Sequence, residues 1–204
     1  MNQRDYFEAL YANTNDPWHY KTRWYEQRKR DISLAVLPKP HYPTAIELGC
    51  SNGVFSQSLA NRCGQLLAID GNAQAISLAT QQLSQVANVN VQQAVIPEQL
   101  PSQHFDLIVI SEILYYLNRQ AVEQVLQWVN RSLNSQGTLL CVHWRYPIAG
   151  FELNGEIVHS LITNHIKQFT QPFYHQMACQ DADFLLDVWQ VSTTSVAQHE
   201  GLVA

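Results

Sequence analysis

The stretch that decides the fold runs Ala45-Ile46-Glu47-Leu48-Gly49-Cys50-Ser51-Asn52-Gly53. An apolar run ends at Leu48, two glycines follow within five residues, and the next segment, Val54–Cys63, has the apolar spacing of a helix. Glycines at a strand-to-helix turn permit positive φ and let a ligand approach the backbone. The stretch therefore predicts a ligand site at the carboxyl end of the first strand of an α/β protein.

The spacing of the glycines separates two kinds of ligand. A dinucleotide fold needs G-x-G-x-x-G to bring a pyrophosphate onto the helix N-terminus, but Ser51 and Val54 occupy the second and third glycine positions. The pattern is E-x-G-x-x-x-G, in which Glu47 is awkward beside a pyrophosphate and useful beside an ammonium group. A nucleotide-linked oxidoreductase is therefore disfavoured.

A second acidic residue follows the next predicted strand. Asp70 comes after Leu66–Ile69, 21 residues beyond Gly49, where a carboxylate accepts hydrogen bonds from both hydroxyls of a ribose. The combination of one carboxylate for a ribose, one near an amino group and no phosphate cradle fits S-adenosylmethionine. Taken singly, Glu47 could be a strand-end carboxylate that caps the next helix, and Asp70 could be the N-cap of the helix from Ala73.

The rest of the chain alternates apolar runs with amphipathic ones, which predicts right-handed crossovers and a mostly parallel sheet. The predicted strands are Thr44–Leu48, Leu66–Ile69, Val89–Val95, Phe105–Ile110 and Thr138–His143, followed by a hairpin of Phe173–Cys179 and Phe184–Val191. The predicted helices are a first stretch that precedes the turn cluster Asn13–Pro17, then Tyr20–Val36, Val54–Cys63, Ala73–Val86, Arg119–Leu133 and Glu156–Phe169.

The length of 204 residues predicts a single domain. We divide it into an N-terminal helical lid (1–40), a cofactor-binding half (41–143), a substrate-side half (144–197) and a frayed tail (198–204). The aromatic residues expected to form the lid are Trp18, Tyr20, Trp24 and Tyr25, with core packing as the alternative.

Composition excludes several function classes. Twelve Lys and Arg against 17 Asp and Glu give a net charge of −5, which lacks the basic field that nucleic acid binding requires. No apolar run approaches the ~20 residues that span a bilayer, and no basic-then-apolar leader begins the chain, so we expect a cytoplasmic protein without a membrane partner. The four cysteines form no C-x-x-C pair, so we expect free thiols and no metal site.

Four segments between Asp16 and Val142 carry a family resemblance: Asp16-Pro17-Trp18, the loop Glu47–Gly53, Asp70, and the stretch Phe105–Leu117, which reads FDLIVISEILYYL. With them the sequence resembles class I S-adenosylmethionine-dependent methyltransferases, and more closely the nodulation protein S-like (NodS) branch. The resemblance implies a Rossmann-like, seven-stranded, mostly parallel sheet with an antiparallel last strand and helices on both faces. It also implies S-adenosyl-L-methionine as cofactor, S-adenosyl-L-homocysteine as product, and methylation of a free amino-sugar nitrogen in a chitin-like oligosaccharide.

The cofactor residues follow from these motifs and strand ends. They are Trp18, Glu47, Gly49, Cys50, Ser51, Gly53, Asp70, Gly71, Asn72, Ala94, Val95 and Ser111. The family often carries an acid for the adenine amino group after the third strand, where this chain has Gln93-Ala94-Val95-Ile96. We therefore expect adenine to be held by backbone groups near Ala94 and Val95 or by Gln93, with packing from Asn72 and Ile96.

The acceptor site is expected at the ends of the fourth and fifth strands. His143 and Glu112 are the candidate catalytic residues, because an amine must lose a proton before it attacks a methyl group. The candidate substrate-binding residues are Tyr115, Tyr116, Trp144, Arg145 and His159. The alternatives are a hydrogen-bonded strand end for His143, a helix cap for Glu112, core packing for the tyrosines, a surface ion pair for Arg145 and a solvated helix position for His159.

The resulting prediction is a methyltransferase that acts on a small polar or oligosaccharide acceptor. The alternatives are a non-catalytic protein that keeps this fold for binding or scaffolding, and an O-methyltransferase of another small metabolite. The intact set of Glu47, Gly49, Gly53 and Asp70 argues against a scaffold, since a scaffold does not need to recognise a ribose and an amino group.

Overall fold

The computed structural model describes residues 3–203, which contain seven strands and seven α-helices. The strands are β1 (Tyr42–Leu48), β2 (Cys63–Asp70), β3 (Val89–Gln93), β4 (Phe105–Ser111), β5 (Leu133–Trp144), β6 (Tyr174–Gln180) and β7 (Phe184–Gln190). The helices are α1 (Gln3–Asn13), α2 (Trp24–Ala35), α3 (Val54–Leu59), α4 (Ala73–Gln82), α5 (Arg119–Ser132), α6 (Gly155–Ile166) and α7 (Val196–His199). Short 3₁₀ turns lie at Ala60–Arg62 and Leu114–Tyr116.

The seven strands form one sheet in the order β3-β2-β1-β4-β5-β7-β6. Strand β7 is antiparallel to both β5 and β6, and the pairs β3–β2, β2–β1, β1–β4 and β4–β5 are parallel. The predicted fold class is therefore confirmed. The strand order reverses between β1 and β4, so the carboxyl ends of β1, β2 and β4 meet at one edge, where open α/β sheets bind ligands.

Apolar side chains on both faces of the sheet hold the helices in place. Helix α5 buries Val122, Val125, Leu126 and Val129, which recur at helical spacing, and Asn118 caps its N-terminus by accepting from Ala121 N. The two central strands, β1 and β4, are buried for most of their length, as strands between two helix layers must be.

The structure corrects three predicted boundaries. Helix α2 begins at Trp24 rather than Tyr20, because the Asp16 carboxylate accepts from Tyr20 N at 2.9 Å and holds residues 16–23 in turns. Strand β5 begins at Leu133, earlier than Thr138, across a register shift in its pairing with β4. The expected tail from Gln198 starts inside α7, since Ser195 and Gln198 form a capping box; Ala204 lies outside the described residues.

Two further observations concern residues 3–203 only. Within that range no helix is both long and apolar enough to cross a bilayer, and no group of three or more His, Cys, Asp or Glu side chains is placed to hold a metal ion. The four cysteines are free thiols.

Candidate active site

A cavity of about 850 Å³ opens over the carboxyl ends of β1, β2 and β4 and beneath α1 and α2. Its walls differ in chemistry from one end to the other. The end over β1 and β2, which we call the cofactor end, is lined by Gly49, Ser51, Asp70, Gly71, Asn72, Ala94, Val95 and Ile96. The end between α2 and β5, which we call the acceptor end, is lined by Tyr20, Tyr25, Glu26, Lys29, Ser111, Glu112, Tyr115 and Trp144.

The loop after β1 brings its backbone to the cavity surface, where a ligand can approach it closely. Gly49 has φ +79°, and Gly49 N and Cys50 N both donate to Ile69 O, at 2.8 and 2.9 Å. A Cβ added to Gly49 would lie 3.1 Å from Ile113 Cβ, so the position has neither the conformational nor the steric room for a side chain. Gly49 and Ser51 line the cavity, whereas Cys50 and Gly53 lie behind it.

Asp70 is held in place by backbone donors. Its Oδ2 accepts from Ser51 N and its Oδ1 accepts from Asn72 N, both at 2.9 Å. Burial raises the pKa of Asp70, against these hydrogen bonds. Each carboxylate oxygen has a second lone pair, and the residue lines the cavity, so both oxygens can accept from ligand hydroxyls. The N-cap of α4 is Asn72, which accepts from Ala75 N, and not Asp70.

Glu47 lies deeper than expected. The side chain is buried beneath the loop, where Oε2 accepts from Ser56 Oγ at 2.5 Å, and burial raises its pKa to about 7. Glu47 lines a smaller cleft that shares Gly49 and Ser111 with the large cavity. It therefore reaches the cofactor end through that cleft rather than through the main wall.

The segment expected to hold adenine offers fewer backbone donors than predicted. Ala94 N already donates to Asp70 O at 2.9 Å, and Val95 N donates to the Gln99 side chain at 2.7 Å. The Gln93 amide donates to Gly71 O at 3.0 Å. These three donors are engaged within the chain, so this wall contributes mainly the apolar surface of Val95 and Ile96.

The N-terminal segment covers the cavity, with one correction to the predicted aromatic set. Trp18, Tyr20 and Tyr25 line the cavity, but Trp24 is 68% exposed, because it begins α2 on the side that faces away from the cavity. Helix α1 was predicted as a helical stretch, but its place at the cavity was not: its Tyr11 Oη lies 2.6 Å from Ser51 Oγ. Its Tyr6 and Phe7 also line the cavity and stack against Tyr116.

Glu112, after β4, is the central side chain of the acceptor end. Its φ is +59°, a conformation that costs a non-glycine residue on the order of 1–3 kcal/mol and persists only where the surroundings enforce it. Its Oε1 accepts from Lys29 Nζ at 2.8 Å, and its Oε2 accepts from Trp144 N at 3.1 Å and from Tyr115 Oη. Asn118, not Glu112, caps the following helix.

Lys29 and Glu26 are functional candidates that sequence reasoning missed. Both are buried on α2, and Lys29 Nζ lies 3.0 Å from Glu26 Oε2 and 4.7 Å from the centre of the Tyr25 ring. Burial lowers the pKa of Lys29, but Glu112 and Glu26 outweigh it and the net shift is upward, so the lysine is charged. Burial raises the pKa of Glu26. The only sequence signal was an i, i+3 charge pair, which is typical of a solvated helix face.

His143 does not take the position expected of a general base. It is fully buried and lies outside the cavity wall, because it points below the 3₁₀ turn Leu114–Tyr116. Its Nε2 accepts from Leu114 N at 3.4 Å, and its Nδ1 lies 3.1 Å from His159 Nε2, whose Nδ1 in turn bonds to Asp187. Burial holds the pKa of His143 well below its usual range. It is a neutral residue that supports the turn.

The same network corrects the expectations for His159. With Leu114 N as donor to Nε2, the proton of His143 sits on Nδ1 and points to His159 Nε2, and the proton of His159 points to Asp187. Asp187 also accepts from His175 at 2.6 Å, near the surface. His159 is therefore neither a substrate contact nor solvated, but a buried link in a chain of hydrogen bonds.

The remaining predicted substrate residues divide between wall and surface. Tyr115, Tyr116 and Trp144 line the cavity, and each is also packed against other aromatic rings. Arg145 pairs with Glu156 at 2.6 Å and donates to Asp181 O at 2.7 Å, outside the cavity wall. For Arg145 the structure supports the surface ion pair.

The fold and the cavity place the chain among class I methyltransferases. A putative methyltransferase from Pseudomonas syringae is 38% identical, with a TM-score of 0.72, and the match covers 82% of this chain and 99% of that one. A family model described as Nodulation protein S (NodS) matches residues 4–168. The chain belongs to the NodS family of S-adenosylmethionine-dependent methyltransferases, as its sequence predicted.

Relatives within this family extend over most of the chain. Nodulation protein S of Sinorhizobium fredii NGR234 is 29% identical over 189 residues, which covers 88% of this chain and 85% of that protein. The N-methyltransferase NodS of Bradyrhizobium japonicum WM9, crystallised with S-adenosyl-L-homocysteine, is 24% identical, with a TM-score of 0.80 over 93% of this chain and 98% of that chain. This second likeness shows that the fold is shared.

Proposed function

We propose that this protein transfers the methyl group of S-adenosylmethionine to the free amine of a small polar acceptor, such as an amino sugar or a chitin-like oligosaccharide. The observation that carries the proposal is the acceptor end of the cavity, where two carboxylates, Glu26 and Glu112, lie among aromatic rings. Carboxylates and aromatic faces together attract an ammonium group. The relatives named as nodulation protein S support the same reaction class.

The residues at the cofactor end fit S-adenosylmethionine, which supplies a methyl group bonded to a positively charged sulfur. Asp70 presents two fixed oxygens for the ribose hydroxyls. Gly49 lets the methionine part approach the backbone, and Glu47 lies in the adjoining cleft as a carboxylate for its amino group. Val95 and Ile96 provide an apolar wall for the adenine ring.

The chain contributes mainly alignment and exclusion of water. Methyl transfer is an in-line displacement, so the rate depends on holding the nucleophile at near-attack distance. Helix α1 covers the cavity through the contact of Tyr11 with Ser51, and Tyr116 packs beneath Phe7. The aromatic rings of Tyr25 and Trp144, 5.3 Å apart at their centres, form a wall against which a sugar face can stack.

The same geometry favours an amine over a hydroxyl as the nucleophile. A hydroxyl needs a strong base at the cavity wall, and the expected one, His143, is buried behind the 3₁₀ turn. An amine loses its proton far more easily, and the carboxylates that line this end suit its charged form. We include in the proposal no nucleic acid partner, on the net charge of −5, and we keep the cytoplasmic location that the sequence analysis expected.

The test is a methyl-transfer assay with labelled S-adenosylmethionine and paired acceptors. Glucosamine and its short oligomers are compared with their N-acetylated counterparts, and titration with S-adenosylhomocysteine confirms that the protein is competent to bind cofactor. We expect label in the free amines and none in the acetylated sugars. Transfer to both sets would point to oxygen as the nucleophile, and cofactor binding without transfer to any amine would overturn the proposed acceptor.

A further inference from the structure

Two neighbouring residues of α2 present buried polar atoms without a hydrogen bond. Tyr25 Oη and Glu26 Oε2 are inaccessible to solvent, and neither has a hydrogen-bond partner among the described residues. Both residues line the acceptor end of the cavity. Because buried polar groups are nearly always satisfied in native proteins, two such atoms side by side on a cavity wall indicate a ligand group that completes them.

The charges around Glu26 show what kind of group is missing. Lys29 lies between two carboxylates: its ammonium donates to Glu112 Oε1 at 2.8 Å and forms an ion pair with Glu26 Oε2 at 3.0 Å. Glu112 accepts two further hydrogen bonds, from Tyr115 Oη and Trp144 N, whereas Glu26 Oε2 has Lys29 as its one polar neighbour among the contacts of the described residues. One buried ammonium is therefore shared by two carboxylates, and Glu26 is the carboxylate of the two that accepts fewer hydrogen bonds.

The other cation that faces Glu26 is Arg30, whose charge lowers the pKa of this carboxyl but which forms no ion pair with it among the described residues. Arg30 follows on the same helix and donates to Tyr20 O at 2.9 Å, and the Tyr20 phenol is a neutral neighbour from the preceding turn. Glu112 faces Glu26 from the end of β4 and adds to its negative potential. Burial raises the pKa of Glu26, and Glu112 adds to the rise, although Lys29 and Arg30 oppose it.

We infer that Glu26 binds the ammonium group of the acceptor and removes its proton, and that Tyr25 Oη hydrogen-bonds a neighbouring polar group of the same acceptor. This inference rests on the proposed function and assigns the base to α2 rather than to His143 or Glu112. One N–H bond breaks and its proton moves to the Glu26 carboxylate, which frees the nitrogen lone pair. The nitrogen then bonds to the methyl carbon as the carbon–sulfur bond breaks, and that bond's electron pair stays on sulfur. The proton on Glu26 leaves to water.

The test compares Glu26→Gln with Asp31→Asn, which removes the same charge from an exposed position of the same helix. Initial rates are measured with labelled cofactor and glucosamine at pH 7 and pH 9, and titration with S-adenosylhomocysteine serves as the folding control. Glu26→Gln should lower kcat by ~10²–10⁴ at pH 7, less at pH 9 where more of the amine is neutral, and leave cofactor affinity unchanged. Asp31→Asn should match the wild type.

A second variant tests the inference independently, even if Glu26→Gln does not fold. Tyr25→Phe retains the ring and loses only the hydroxyl, so we expect KM for the acceptor to rise about 2- to 12-fold, with little change in kcat. Full activity of Glu26→Gln at pH 7, a loss that is equal at pH 7 and pH 9, or an unchanged KM in Tyr25→Phe would overturn the inference. A wild type that binds cofactor but methylates no amine would instead overturn the proposed function on which it rests.

Discussion

The two ends of the cavity are built in different ways. The cofactor end consists of short segments that follow strands, and its central carboxylate, Asp70, is fixed by the backbone N–H groups of Ser51 and Asn72. The acceptor end consists of side chains from distant parts of the chain, such as Lys29 and Glu112, which are 83 residues apart. The first arrangement depends on backbone conformation, whereas the second depends on packing and on buried charge.

The two ends of the cavity therefore tolerate substitutions differently. A backbone-defined site loses its ligand when a substitution prevents the required backbone conformation, as a side chain at Gly49 would. A side-chain-defined site fails when one charge of a buried group is removed, since the others are then uncompensated. The two ends also contribute different things to function. The cofactor end positions the same cofactor in every reaction, and the acceptor end determines which nucleophile is accepted.

The largest effect is expected from Gly49→Val at the cofactor end. The loop requires φ +79° and has Ile113 Cβ within 3.1 Å of an added Cβ, so we expect strain and overpacking of about 2–5 kcal/mol in the binding-competent loop. Titration with S-adenosylhomocysteine should show at least ~30-fold weaker binding. Circular dichroism should show a folded protein, and normal affinity in that folded variant would contradict a backbone-defined site.

Asp70→Ala is expected to have the next largest effect. Losing charge-assisted hydrogen bonds of about 1.5–3 kcal/mol raises the dissociation constant of S-adenosylhomocysteine roughly 10- to 150-fold. Asp70→Asn is the matched control, because its amide oxygen still accepts from one of the two backbone donors; we expect a smaller loss. If Asp70→Ala bound S-adenosylhomocysteine with wild-type affinity, the assignment of Asp70 to the ribose hydroxyls would be wrong.

A smaller effect on catalysis is expected from His143→Gln, which sharpens the comparison on the acceptor side. The amide oxygen of glutamine can accept from Leu114 N, but glutamine has no nitrogen at the position of His143 Nδ1. His159 Nε2 therefore loses its partner, at a cost of about 1–3 kcal/mol. Thermal unfolding should report this loss. The kcat should fall by less than the ~10² of a lost general base, with the pH profile unchanged in shape. If kcat of the variant no longer rose with pH, His143 would be the general base after all.

The smallest effect on function is expected from Glu47→Gln, which instead changes stability. Burial raises the pKa of Glu47 from its ordinary value to about 7, so the folded protein binds a proton that the unfolded chain releases. Its stabilising contribution is complete below pH 4.5 and is lost as pH rises to about 7, by at most about 3 kcal/mol. Glutamine, which stays neutral, should therefore raise the unfolding temperature at pH 8 and not at pH 4.

The cofactor affinity of the same variant tests the second role expected of Glu47. Because Glu47 is proposed to reach the amino group of the ligand through the smaller cleft, we expect Glu47→Gln to weaken S-adenosylhomocysteine binding, by less than Asp70→Ala does. If the carboxylate only accepts from Ser56 Oγ, affinity is unchanged and the stability effect stands alone.

The cofactor end could be predicted from the sequence because its signals are local. Alternating apolar segments predicted the sheet, and the glycine turn and Asp70 each follow a strand directly, so their position in sequence gives their position in space. The adenine wall was predicted less well, since whether Ala94 N and Val95 N are free depends on their pairing with Asp70 O and Gln99.

The acceptor end could be predicted only in part, because its contacts are long-range. Glu112 follows β4 directly and was expected at the site, where it lies. His143 and Trp144 are consecutive on β5, so their side chains point to opposite sides, and the sequence does not show which side faces the cavity. Glu26 and Lys29 were missed because a charge pair on a helix looks solvated until the tertiary structure buries it.

The most direct test of the account is a crystal structure of the protein with S-adenosylhomocysteine and glucosamine. We predict that the ribose hydroxyls lie on the two oxygens of Asp70 and that the amine nitrogen lies within about 2.7–3.2 Å of the Glu26 carboxylate and faces the sulfur. A sugar bound with its amine away from Glu26, or a ribose bound away from Asp70, would contradict the division of the cavity into a backbone-defined cofactor end and a charge-defined acceptor end.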